Sequence, residues 1–139
     1  FDRVDDAVCA VRSATLEGIL PGGGLALQNI VDNIDYDPQW SVEKSLAYDI
    51  LAYSLSSPIQ EILENAGLDY IKMYLEGSDR KNGYGYDVKN DKWGNMMKMG
   101  VIDPMKVTKN ALQNAVSVAI TLLSTNAIVT MARSYDYKE

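Results

Sequence analysis

Four places in this sequence carry side chains or bare backbone able to do chemistry. Asp5 and Asp6 are adjacent carboxylates; on a helix they point about 100° apart and cannot both serve one site. One of them can deprotonate or orient a water, and the ordinary alternative is a charge in a first helical turn, stabilised by the helix dipole. Gly22-Gly23-Gly24 stands just ahead of a helical stretch. Its backbone N–H groups can face an anion there, and the missing Cβ atoms let a ligand lie against the main chain. The run lacks the Lys-Ser/Thr ending of a Walker-type phosphate loop, and a glycine turn between helices also serves packing. Asp87 flanks a turn-forming stretch. Asp103 precedes Pro104, where it reads as a helix cap whose carboxylate keeps further acceptor sites.

Other chemistries are argued against by composition. The chain has no histidine and one cysteine, Cys9, so it builds no Ser/His relay, no Cys/His metal cluster and no internal disulfide. We read no metal site, and the cysteine usage suits a reducing cytoplasm or organelle matrix. Thirteen basic against 19 acidic residues give a net charge of −6, and neither sign forms the long run that would hold nucleic acid or an anionic membrane. No segment resembles a signal peptide, and Phe1 reads as a start inside a longer chain. The most apolar segment, 115–123, is too short for a membrane span of roughly 20 residues and reads as a buried helix.

The elements that must position these residues follow from periodicity and punctuation. Apolar Val4, Ala7, Val8, Val11 and Ala14 recur at helical spacing from Arg3 to Glu17, predicting a helix with one buried face that stops at Gly18. A loop containing the glycines leads to a helix over 25–34. Ser41 caps a third helix. Ser57, Pro58 and Gln60 form a capping-box pattern that predicts a separate helix ending at Gly67. A short helix over 69–75 precedes a β-hairpin, 84–88 and 92–96, turning at Asn90 and Asp91. The helix after Pro104 is apolar on nearly all sides from 111 to 123 and is expected at the centre of the core. A strand is expected over 127–131. Met96, Met97 and Met99 read as core or interface filling, and the scattered tyrosines are assigned no site.

Four segments, in this order and spacing, resemble group I (60 kDa type) chaperonins: Arg3-Val4-Asp5-Asp6-Ala7, Glu17-Gly18-Ile19-Leu20-Pro21-Gly22-Gly23-Gly24, Gly85-Tyr86-Asp87, and Gly100-Val101-Ile102-Asp103-Pro104-Met105-Lys106-Val107. The resemblance implies a mainly α fold, the helical bundle of the chaperonin equatorial domain with a small β-hairpin and a carboxyl-terminal strand. It implies that residues 1–17 end the intermediate (hinge) domain and 18–139 form the second half of the equatorial domain. It places the hydrolytic carboxylate at Asp6. Nucleotide contacts fall at Gly23, at Asp87, Val88 and Lys89 on the adenine side, at Val101 against the base, and at Asp103 on the ribose hydroxyls. Val88 and Lys89 are bulkier than the small residues usual there. The implied cofactor is ATP or ADP with Mg²⁺ and K⁺, held mostly by a Gly-Asp-Gly-Thr-Thr loop that this chain lacks, so the chain alone is expected to hydrolyse no ATP. Implied partners are other subunits in a homo-oligomeric ring, non-native protein clients bound by an apical domain not contained here, and a co-chaperonin lid whose need stays open. The alternative is a free-standing helical scaffold with the same fold and no ATPase activity. Group II chaperonins share the fold, but the 100–107 motif and the tyrosine before Asp87 resemble group I more closely.

Overall fold

Glycines set where several elements end. In the computed structural model, which describes residues 2–77, 83–127 and 129, helix α1 (Asp2–Glu17) stops at Gly18. The Gly18 N–H donates to the Ala14 carbonyl at 2.8 Å, and its φ of 88° turns the chain into strand β1 (Ile19–Pro21). The triple glycine then leads into α2 (Leu25–Asp32), followed by α3 (Val42–Asn65) and α4 (Tyr70–Gly77). Strands β2 (Tyr84–Asp87) and β3 (Lys92–Asn95) form the expected hairpin, and β4 (Ile102–Pro104) runs into α5 (Met105–Leu123). The fold is mainly α, as expected, with two small antiparallel sheets, β1–β4 and β2–β3.

Local end signals are realised where nothing competes with them. Ser41 accepts the Lys44 N–H at 3.3 Å at the start of α3. Asp69 accepts the Lys72 N–H at 2.9 Å ahead of α4. At the end of α3 the Leu68 N–H reaches the Leu63 carbonyl and the Gly67 N–H the Glu64 carbonyl, both at 2.9 Å, a Schellman closure that uses the left-handed conformation of Gly67.

Five expectations are corrected. Ser57 and Pro58 do not start a new helix, because α3 runs through them without a break. Gln60 bonds forward to Glu64 at 2.7 Å rather than back to Ser57, and Ser54 and Ser56 bond the carbonyls four residues earlier. Pro58 costs the helix one backbone bond, offset by burial of Leu55 and Leu63 on either side of it. The stretch at Ile19 to Pro21, read as loop, is a strand paired with β4. Asp103 is not a helix cap. It sits in mid-strand opposite Leu20, and Pro104 occupies the cap position of α5 without a side-chain bond. Helix α5 is not the centre of the core. It has no buried residue, because among the described residues it packs mainly on α1 and β4 and its apolar surface extends around the whole helix, with Ile120 58% exposed. The same holds for α1, whose apolar stripe stays largely exposed. The strand expected over 127–131 lies mostly outside the described residues.

The core sits instead where α2, α3, α4 and the β2–β3 hairpin meet. Leu25, Leu55, Leu63, Met73 and Met96 are its buried apolar residues. Among the described residues no helix is long and apolar enough to cross a membrane.

Candidate functional site

The core is also the floor of a cleft. Leu25, Leu63, Met73 and Met96 line a concavity of about 900 Å³, a size usual for small-molecule sites. Its walls come from parts of the chain far apart in sequence. The glycine turn contributes Gly23, the hairpin contributes Asp87, Val88 and Lys89, and the segment entering β4 contributes Val101 and Ile102.

These walls are fastened to one another by backbone. The Gly22 N–H donates to the Val101 carbonyl at 2.9 Å, the Val101 N–H to the Met96 carbonyl at 3.0 Å, and the Met96 N–H to the Gly83 carbonyl at 2.9 Å. The glycines are required by close approach. A Cβ on Gly22 would stand 3.0 Å from the Ile102 backbone nitrogen. One on Gly24, whose φ is 77°, would stand 2.7 Å from the Ile59 nitrogen, beside the point where Pro58 has already removed a donor from α3. Gly23, with φ 67°, faces the Met96 methyl group and Val101.

Asp87 is the buried charge of the site, 4% exposed. Its Oδ1 accepts the N–H groups of Lys89 at 3.0 Å and Asn90 at 3.2 Å, and its Oδ2 accepts the Asn90 side-chain amide at 2.6 Å. The Asn90 amide above all, with the turn N–H groups and Lys92 assisting, holds the carboxyl below its ordinary value of 3.8. Asp87 is thus an ionised, acceptor-only group. Burial pushes the half-buried Asp103 the other way, above 3.8.

Five of the seven residues singled out from the sequence, Gly23, Asp87, Val88, Lys89 and Val101, share this cleft. Asp103 is one position beyond the lining residue Ile102. Asp6 is not among the lining residues. It is exposed on α1, about three helical turns before Gly18. Sequence reading missed a polar wall. Tyr70 donates to Gln28 Oε1 at 3.2 Å, Gln28 donates to Asp32 at 2.9 Å, and Tyr74 donates to Asp32 at 3.2 Å. Burial first, then Asp32, raises the Tyr74 hydroxyl above its ordinary value. The signal was present in the two i, i+4 pairs, each of which puts its members on one helix face.

Residues 2–133 match the family model described as the TCP-1/cpn60 chaperonin family. A solved structure, the crystal structure of a group III chaperonin in the open state, superposes with a TM-score of 0.73 at 27% sequence identity. The match covers 84% of this chain and 25% of that one, so the chain spans about a quarter of the length of its structural relative.

Proposed function

Because this chain belongs to the TCP-1/cpn60 chaperonin family, we propose that it is the carboxyl-terminal part of an ATP-dependent ring chaperonin subunit of the group I kind. Residues 1–17 then end the intermediate domain and 18–139 form the second half of the equatorial domain. The observation that carries the reading is the convergence of Gly23, the Asp87 to Lys89 turn and Val101 on one cleft.

The residues present fit the nucleoside part of ATP or ADP. Val101 offers apolar surface to a base over the buried Met96, Asp87 offers an acceptor at its edge, and Gly23 leaves the main chain bare. The family resemblance assigns the ribose hydroxyls to Asp103, which follows the lining residues Val101 and Ile102 directly. For Mg²⁺ and K⁺ the chain offers little. Among the described residues no group of three or more His, Cys, Asp or Glu is placed to hold a metal ion. The phosphates and cations then fall to the rest of the subunit, and the chain by itself turns over no ATP.

Asp6 takes the role of positioning the attacking water and accepting its proton. Its place on exposed α1, outside the cleft, requires α1 to approach the phosphates when nucleotide is bound. Other subunits, non-native protein clients and a co-chaperonin lid are the partners this reading brings. The test is the oligomeric state and ATPase rate of the full-length gene product beside its Asp6→Ala variant. A ring that binds ATP normally and loses hydrolysis supports the reading. Unchanged turnover removes Asp6 from the mechanism, and absence of a ring removes the chaperonin role in favour of a scaffold.

A further inference from the structure

The Asp87 carboxylate has about four acceptor sites, and three are used within the turn, two on Oδ1 and one on Oδ2. Asn90 is what fixes the remaining one. Its side-chain amide is the shortest of the three bonds, 2.6 Å, and the one that a substitution can delete. The two backbone donors on Oδ1 define the turn, yet they leave the carboxylate free to swing about them. The Asn90 amide removes that freedom, and it keeps Oδ2 from being satisfied by water or by Lys92, which faces Asp87 across the ladder.

Resting on the nucleotide reading above, we propose that Asn90 is a positioning residue for base selection: it holds Asp87 so that the free Oδ2 acceptor site meets the exocyclic amine of a 6-aminopurine. A carboxylate so held has no proton to donate. It therefore accepts from the amine of adenine and opposes the carbonyl oxygen that hypoxanthine and guanine carry at the same position. Asn90 also lines the cleft, but its side-chain amide is spent on Asp87 Oδ2, so the role proposed for it is exercised through Asp87.

A polar site built for one hydrogen bond rejects an analogue that lacks the donor. A hydrogen bond to a charged group corresponds to about tenfold to a hundredfold in affinity. The experiment compares ATP with inosine triphosphate on the full-length subunit, by competition against a fluorescent ATP analogue, for wild type, Asn90→Ala and Asn90→Ser. Wild type is expected to prefer ATP by at least about tenfold. In N90A the preference falls to within about twofold, chiefly through weaker ATP binding. In N90S the hydroxyl supplies a donor again and the preference partly returns. A general loosening of the hairpin would weaken both nucleotides alike and leave the ratio intact, so an undiminished ratio in N90A overturns the proposal. Absence of any nucleotide binding in wild type overturns the nucleotide reading itself, and the proposal with it.

Discussion

Replacing Gly24 by alanine tests whether the approach of the glycine turn to α3 sets the geometry of the cleft. Two costs arise at that position. A residue with a Cβ pays about 1–2 kcal/mol to stay in the left-handed region, where Gly24 has φ 77°. The new methyl group would also stand 2.7 Å from the Ile59 nitrogen and 2.9 Å from its Cα, backbone atoms that cannot rotate away. Such overpacking costs about 1–3 kcal/mol. The sum, about 2–5 kcal/mol, is a large share of the roughly 5–15 kcal/mol that holds a domain folded. Gly67→Ala is the control, since Gly67 has the same φ of 77° and nothing within 4 Å of a built Cβ. It should pay only the backbone cost. Urea unfolding of the chain followed by circular dichroism, with a slope of about 1–3 kcal/mol/M, should therefore place the G24A midpoint clearly below that of G67A. Equal midpoints would refute the reasoning, because they would mean that α2 and α3 are not pressed together at Gly24.

Pro58→Ala should stabilise the chain by about 1–3 kcal/mol, because it gives α3 back the N–H that would reach Ser54 at an exposed position; a lower urea midpoint in P58A would mean that the proline shapes the helix to fit α2. Asp103 has a folded carboxyl raised above 3.8 by burial, so the folded state holds its proton longer and stability drops as pH rises from 3.8 through the folded value. Asp103→Asn should abolish that drop in urea midpoints taken between about pH 3 and about pH 7; parallel pH profiles for the two proteins would reject the assignment. Asp87 has the opposite sign. Its lowered carboxyl contributes stability present above 3.8 and lost as pH falls through the folded value, so Asp87→Ala should flatten the acid limb, and an unaltered limb would count against the Asn90 contact. Leu63→Ala, at 5% exposure, should cost about 2–5 kcal/mol in the same assay, and a cost near zero would show that the floor of the cleft is not packed.

What could be read in the sequence was local. The closures at Gly18 and Gly67 and the cap at Ser41 depend on a few neighbouring residues, and so does the hairpin turn at Asn90 and Asp91. The Ser57-Pro58 pattern is equally local and misled for that reason. It marks a helix start only where the preceding turn is free to unwind, and burial of Leu55 and Leu63 on one continuous helix outweighs it. Helix α5 shows a different limit, since an all-round apolar pattern states that partners are needed but not which ones. Strands β1 and β4, at three residues each, are too short for a period of two to register, which is why Asp103 was read as a cap. In the site, the glycine turn stood out by composition, whereas Asp87, Val88, Lys89 and Val101 were singled out by the family resemblance. That Gln28 meets Tyr70, 42 positions later, is tertiary information that no window of sequence contains.

The β1–β4 ladder has a consequence for how the protein comes to be folded. It joins Ile19 to Pro104, a loop of about 85 residues whose closure costs on the order of 4 kcal/mol in chain entropy. Three residue pairs cannot meet that cost unless the intervening chain has already become compact. The α2–α3 helix pair and the β2–β3 hairpin close much shorter loops and should form first, leaving the ladder to lock last. During synthesis the cleft then stays open until β4 has emerged. Mutations at Leu20 or Ile102 should accordingly speed unfolding and leave the folding rate nearly untouched.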